Sequence, residues 1–262
     1  MKKHWRIMRC YFRMNLASAL EYRASFFTQA FGMALSNSTF IFFWWIAFSQ
    51  VGGLIAGYSF KDILFIWAVS SSGYGLAHVL FAGASTLTQL IVTGELDAYL
   101  LQPCNILVNF ICSKTNLSAY GDLAYGFILM CVVYLTEPAA WLWYTIGVLS
   151  CCVLMTAILL TANSLSFYWG DASAPARMAT ELMINMSLYP DKVYGPPVRA
   201  LMYSVIPVGF AVHVPKRMLN GEPAWLALGA LAGSVIFCVF SAYLFYRGLK
   251  RYESGNLIVI RR

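Results

Sequence analysis

Charge is what this sequence has least of. Asp, Glu, Lys and Arg make up 11% of the 262 residues, against roughly a quarter in a soluble domain. Between Ile63 and Thr93 there is no Asp, Glu, Lys or Arg at all. That excludes an ordinary soluble fold. The dipeptide Gly-Lys is absent from the whole chain, which excludes a phosphate-binding loop of the G-x-x-x-x-G-K type. H-E-x-x-H and G-x-S-x-G are missing too. The three histidines, His4, His78 and His213, are scattered. No catalytic residue and no metal ligand is assigned. The seven cysteines contain no C-x-x-C pair and lie mostly in apolar runs, so they read as small buried hydrophobes rather than a disulfide framework. The start lacks the short apolar core and small-residue cleavage pattern of a removable signal peptide. Two halves of matching hydropathy are also missing, which counts against a secondary transporter built from inverted repeats.

Apolar residues are abundant. They form 60% of the chain, mean hydropathy is +0.66 and aromatics reach 16%, the composition of an integral membrane protein with interfacial Trp and Tyr. The net charge of +7 comes from basic residues clustered at the two ends. Membrane orientation and anionic lipid account for them, without nucleic acid. Residues 2–14 read as an amphipathic helix. Lys2, Arg6, Arg9 and Arg13 fall within about 60° on the helical wheel, opposite Trp5, Ile7, Met8, Tyr11, Phe12 and Met14. Such a helix lies in the membrane interface.

Membrane spans are expected over about 25–49, 63–84, 118–136, 141–163 and 224–246, each able to cross a hydrocarbon core of roughly 30 Å. Asn37 sits in the middle of the first. Its Asn37-Ser38-Thr39 triplet matches a glycosylation site, but inside a bilayer the asparagine reads as helix–helix glue. The second carries a polar strip from Ser70 to His78. Met178–Tyr189 and Val198–Val214 are too short or too broken to be good spans alone. Six Lys/Arg in the first 23 residues and five in the last 16 place both ends in the cytoplasm, so the number of crossings is even. The region between 178 and 214 therefore crosses once more, and its second piece dips in and returns or lies outside. Gly229 and Gly233 form a G-x-x-x-G that allows close helix contact, read as packing within the subunit.

The chain is organised around Gly94-Glu95-Leu96-Asp97-Ala98-Tyr99-Leu100-Leu101-Gln102-Pro103, a polar island between apolar territories. Its two acids are expected on a short element outside the membrane, acting as a unit on one helical face. Pro103 closes it, because proline is poorly tolerated in a helix interior.

This island resembles the segment between spans two and three of bacterial ABC transporter permeases of the type-2 exporter class. Tyr189-Pro190, Val205-Ile206-Pro207 with Val214-Pro215, and Arg251-Tyr252-Glu253-Ser254-Gly255 match that group in the same order. Gln102 departs from it, standing where the pattern has a basic residue. Lys192 and the Pro196-Pro197 pair depart as well.

The resemblance implies an all-α membrane protein forming one permease domain over residues 1–262. It would have six transmembrane helices and a leading interfacial helix (1–24). A coupling segment (85–104) would seat Gly94, Glu95, Leu96, Asp97, Gln102 and Pro103 on an ATPase. Re-entrant outer helices (190–223) would gate the pathway through Tyr189, Pro190, Pro207 and Pro215, and a cytoplasmic tail (247–262) would follow. By the same analogy, Asn37, Ser71, Tyr74 and Asn185 would line the substrate path. The expected partners are ABC ATPase subunits holding ATP and Mg, a second permease (identical or a paralogue) and membrane lipid. The chain itself would hold no cofactor. The location would be the bacterial cytoplasmic membrane, and the substrate lipophilic, amphiphilic or glycan-like. A secondary transporter or channel working alone is the alternative. It requires acids at mid-membrane, and Asp122 and Glu181 are read as lying near span ends.

Overall fold

The computed structural model describes residues 2–223 and 225–253, and of residues 2–4 the backbone only. The Ser254-Gly255 end of the tail motif, and the tail beyond it, lie outside the described residues.

α1 (Lys2–Glu21) and α2 (Arg23–Val51) are separated only by a break at Tyr22. Gly52 ends α2 in the left-handed conformation (φ 67°), its N–H closing on the Phe48 carbonyl, a position that favours glycine. α3 (Phe60–Phe81) opens on a capping box. Ser59 Oγ accepts from the Asp62 N–H at 3.3 Å and Asp62 Oδ2 accepts from the Ser59 N–H at 2.8 Å, so both orphan amides are satisfied. A 3₁₀ stretch (Ala82–Thr86) continues the path into α4 (Leu87–Thr93). The shift to 3₁₀ falls where Gly83 packs on the Phe110 carbonyl, leaving no room for a side chain.

Then come α5 (Asp97–Leu100), α6 (Ile106–Ile111), α7 (Ala119–Tyr134) and α8 (Pro138–Ser164). Pro138 suits the first turn of α8, where no intrahelical N–H is needed. α9 (Ser166–Trp169), α10 (Ser173–Leu188), α11 (Pro196–Met202), α12 (Val208–Leu219) and α13 (Trp225–Leu249) complete the chain. The architecture is all helical, with no strand among the described residues.

Among the described residues, four helices are long and apolar enough to cross a membrane: Arg23–Val51, Phe60–Thr93, Pro138–Trp169 and Trp225–Leu249. α7 is a shorter apolar helix. α10 is 16 residues long and carries Arg177 and Glu181. Burial ranks the four. The Phe60–Thr93 helix is 78% buried over its most apolar window, α2 and α13 only 17%. α3 is therefore the central post, and α2 and α13 turn aromatic and aliphatic faces outward, Phe31, Phe43, Ile236 and Val239 among them.

α3 meets α7 at backbone distance. Gly75 lies against the backbone of Ala119 and Leu123, and Gly126 against Ala68 and Ser72, so neither position has space for a methyl group. The serines at 70, 71 and 72 then each address a different neighbour. Ser70 Oγ donates to the Ser187 carbonyl of α10 (2.8 Å) and Ser71 Oγ to the Asp122 carbonyl of α7 (2.7 Å), while Ser72 Oγ pairs with Tyr144 Oη of α8 (2.6 Å). Successive helical residues point about 100° apart, so one run braces three helices. The strip expected from Ser70 to His78 is thus mainly interhelical glue. His78 is buried, stacks on Tyr74 at 4.0 Å and bonds through Nδ1 to the Tyr74 carbonyl. Of the G-x-x-x-G pair, Gly233 packs on Phe210 of α12 within the subunit, while Gly229 meets open space.

Polar contacts gather at the two ends of the bundle. At one, Lys61 pairs with Glu137 (2.6 Å), Lys216 with Asp62 (2.5 Å) and Tyr58 with Asp191 (2.6 Å). At the other, Asn105 pairs with Tyr246, Thr88 with Asn163 and Ser166, and Tyr11 with Asn109. α11 and α12 belong to the first end. α12 is buried among α3, α8, α10 and α13, with His213 fully enclosed and bonded to the Met186 carbonyl at 3.1 Å.

Candidate functional site

The polar island forms a compact mount. Gly94 takes a left-handed turn (φ 75°) whose N–H returns to the Ile91 carbonyl, reversing the chain as α4 ends. Leu96 then drops into a small core with Leu87, Leu90, Ile91, Phe110, Leu160 and Phe245, fully buried there. Tyr99 packs edge-on to Phe110 and donates to Ser113 Oγ at 3.0 Å. The Asn109 amide donates to Gln102 Oε1 at 2.7 Å and accepts from Tyr11 Oη at 2.7 Å. Asn15 of α1 reaches the Cys112 carbonyl at 3.3 Å. The N-terminal helix is therefore bonded to the element that holds the island. Tyr252 packs on the same small core as Leu96, so the segment after α13 closes on the island too; burial, and secondarily Asp97, push its hydroxyl up to about 12.

Outward, the island presents Glu95, Leu100, Leu101, Gln102 and Pro103. Leu101 is 87% exposed, more than any other large apolar side chain named at the protein surface. The expectation that Glu95 and Asp97 share one helical face needs correction. Glu95 lies in the turn and Asp97 opens α5. The two are two positions apart, a spacing that does not bring side chains together even on a helix. Glu95 is exposed, while Asp97 is half-buried.

α1 also differs in detail from the expected interfacial helix. Ile7, Met8, Tyr11 and Leu16 turn partly toward the chain, whereas Trp5 (69%) and Met14 (60%) stay outside with Arg6, Arg9 and Arg13. The apolar arc is divided between the protein and its surroundings.

A second feature lies deeper. Asn37, Ser71, Tyr74 and Asn185 line one cavity of about 200 Å³ between α2, α3, α7 and α10. Sequence reasoning missed its acid. Asp122 lies in the first turn of α7, but its depth is set by its partners. Asn37 Nδ2 donates to Asp122 Oδ1 at 2.7 Å, and Trp67 Nε1 donates to Asn37 Oδ1 at 3.3 Å. At 1.5 Å per residue, Asn37 is roughly 21 Å along α2 from Arg23, and Ser71 roughly 16 Å along α3 from Phe60. Both lie near the middle of a 30 Å core. Asp122 is therefore at mid-depth and only 3% exposed. The available signal was the glycine pair at 121 and 126. Gly121 rests on the Ala30 backbone, which draws the start of α7 against α2.

A wider polar cleft of about 470 Å³ continues along α8 and α10, with α4, toward the island end. It is lined by Thr88 and Gln89 of α4, Asn163 of α8, and Arg177 and Thr180 of α10. Thr180 and Ile184 are one turn apart on α10, and Leu159 and Met155 one turn apart on α8, so cleft and cavity are stacked along one seam.

The residues expected at the outer gate are spread above this seam. Tyr189 lines the cavity and meets Trp44 edge-on at 5.8 Å. Pro190 is buried and leads to Asp191, Pro207 opens α12 and Pro215 lies inside it. Asp191 was not singled out in the sequence. It accepts from Tyr58 Oη (2.6 Å) and Tyr203 Oη (2.9 Å), one hydroxyl on each oxygen. Burial pushes its carboxyl up, but these hydroxyls and the neighbouring His213 and Arg199 outweigh that and hold it below the usual carboxylate value.

A family model described as ABC-2 family transporter protein matches residues 34–255. No curated protein matches the sequence. The family match covers most of the chain, including the island, the seam and the outer helices. The chain belongs to the ABC-2 transporter family: it is a multi-pass membrane protein, the permease component of an ABC transporter, and its partner is an ABC ATPase.

Proposed function

We propose that this permease belongs to an ATP-driven exporter of the bacterial cytoplasmic membrane, moving a lipophilic, amphiphilic or glycan-like substrate outward along the seam. α2, α3 with α4, α7, α8, α10 and α13 make six crossings, with both termini cytoplasmic, α1 in the interface, and α11 and α12 as the outer re-entrant pieces. The island at the cytoplasmic end seats on the ATPase, which holds ATP and Mg. A second permease, identical or a paralogue, completes the membrane part, and lipid surrounds the exposed faces of α2 and α13.

One observation carries this reading: the island is braced behind and solvent-exposed in front. Leu96, Tyr99 and the Gln102–Asn109–Tyr11 chain fix it to the bundle, while Glu95 and Leu101 project. An element that passes force from one protein to another needs both properties. Glu95→Lys with Leu101→Asp alters only the projecting side. In a complex purified in mild detergent, this double variant is expected to lose the co-purifying ATPase while inserting normally. Truncating one partner of a desolvated charge pair costs about 2–5 kcal/mol, whereas an exposed pair is worth roughly 0–1. Wild-type co-purification and substrate-stimulated hydrolysis in the double variant would contradict the reading.

The mid-depth position of Asp122 is the observation that favours a transporter working alone. Substrate movement in vesicles containing this permease without any ATPase would support that second reading.

A further inference from the structure

We infer that the mid-depth cavity is a recognition site for a small organic cation, with Asp122 as the counter-charge. This rests on reading the cavity as part of the substrate path.

The argument starts from hydrogen-bond accounting. An ionised carboxylate has about four acceptor sites. Asp122 Oδ1 receives the Asn37 amide, and Oδ2 is buried with no partner among the described residues. None of the ion pairs among the described residues includes Asp122. A buried charge without a partner is costly by several kcal/mol, and buried polar groups are otherwise almost always satisfied. Asp191 shows that this chain can give a buried acid a partner on each oxygen. Asp122 is instead held in one orientation by Asn37, itself fixed by Trp67, with the second oxygen unpaired and the residue in the cavity wall.

The walls give the remaining chemistry. Phe40, Trp67, Tyr74 and Tyr189 line the cavity, with Phe40 and Trp67 in ring contact at 5.3 Å. Aromatic faces attract organic ammonium groups, most strongly where water is excluded. One carboxylate matches one positive charge, and about 200 Å³ suits an ammonium head with a single ring or short arms. A bare metal ion fits poorly, since hard cations take several oxygen ligands and only one carboxylate is present. The recognised group is therefore an aryl or alkyl ammonium, alone or as the head of a larger amphiphile.

The test uses the full-length chain in lipid nanodiscs without ATPase. The probe is radiolabelled benzyltrimethylammonium, and the competitor is neopentylbenzene, its uncharged carbon isostere. The wild-type protein should bind the cation, and the isostere should displace it only at tenfold or higher excess. Asp122→Asn keeps an acceptor for Asn37. It should weaken cation binding at least tenfold and erase the charge preference, while Trp67→Phe weakens it a few-fold. Equal competition by the isostere on the wild type overturns the proposal, and that result needs no variant to fold. A charge preference that survives in monodisperse Asp122→Asn overturns it as well. Binding is read here without ATPase, so failure leaves the island's role untouched. Loss of the island's role would equally leave this site standing.

Discussion

Two buried aspartates, Asp191 and Asp122, separate the scaffold of this protein from its working parts. Both are almost inaccessible, at 4% and 3% exposure. Asp191 has a tyrosine hydroxyl on each oxygen and a cationic neighbourhood. Asp122 has a single amide on one oxygen, no partner among the described residues on the other, and a place in the wall of the cavity. The first is a finished polar knot that fixes the loop before α3 to the segment after α10. The second is an oriented, incomplete group. Burial alone does not distinguish an acid that holds the fold from one that awaits a partner; hydrogen-bond completeness does.

The comparison can be broken first at the neighbouring ion pair. Lys216 is 3% exposed and bonded to Asp62 at 2.5 Å. Lys216→Met removes the charge partner of Asp62, which keeps its capping bond from Ser59, and should cost up to about 3–5 kcal/mol, the penalty for halving a buried pair. Thermal unfolding in detergent would show it, and adding Asp62→Asn should restore much of the loss.

The aspartates themselves come next. Asp191→Asn replaces two charge-assisted bonds and should lower stability by about 1–3 kcal/mol. Asp122→Asn should lower it far less, since the Asn37 bond survives. Equal losses in the two melts would dissolve the distinction. The pH dependence sharpens it. Because the folded-state value of Asp191 is depressed, its contribution is fully present above the ordinary carboxylate value and is lost as pH falls through the folded value. The wild type should therefore lose stability in acid, below about pH 4, by more than Asp191→Asn does.

A smaller effect is expected at α1. Changing Arg6, Arg9 and Arg13 to Gln removes roughly 1 kcal/mol of lipid attraction per residue, screened by salt. Vesicle flotation of a peptide spanning α1 would measure this, and unchanged partitioning on anionic vesicles would leave those arginines as topology signals only. The smallest effect belongs to Tyr11→Phe, which removes one hydrogen bond to Asn109, about 0.5–1.5 kcal/mol. Its readout is substrate-stimulated hydrolysis, which should fall slightly if α1 helps to brace the island.

Much of this was legible in the sequence. Long uncharged runs marked the four strong helices, because the bilayer demands length and apolarity together. The acids and Pro103 after the uncharged stretch from Ile63 marked the island. Asn37, Ser71, Tyr74 and Asn185 came from the resemblance to the permease group, and the structure brings them to one cavity. What remained hidden depends on depth and pairing across the chain. Asp122 reads as a helix start until Gly121 and Gly126 are seen to draw α7 inward. Asp191 reads as a loop acid until Tyr58 and Tyr203, 133 and 12 residues away, close on it. The two-residue spacing of Glu95 and Asp97 was open to reading; the left-handed turn at Gly94, which leaves Glu95 in a turn and Asp97 at a helix start, was not.

The central claim is that the island, and no other end of this permease, meets the ATPase. Leu101→Cys, made in a chain whose native Cys10 and Cys104 are serine, places a thiol at an exposed point of the island, and Leu54→Cys places one at the opposite end of the bundle. With a short bismaleimide in the assembled complex, position 101 should cross-link to the ATPase and position 54 should not. Cross-linking at position 54, or none at position 101 in a complex that still contains the ATPase, would contradict the account.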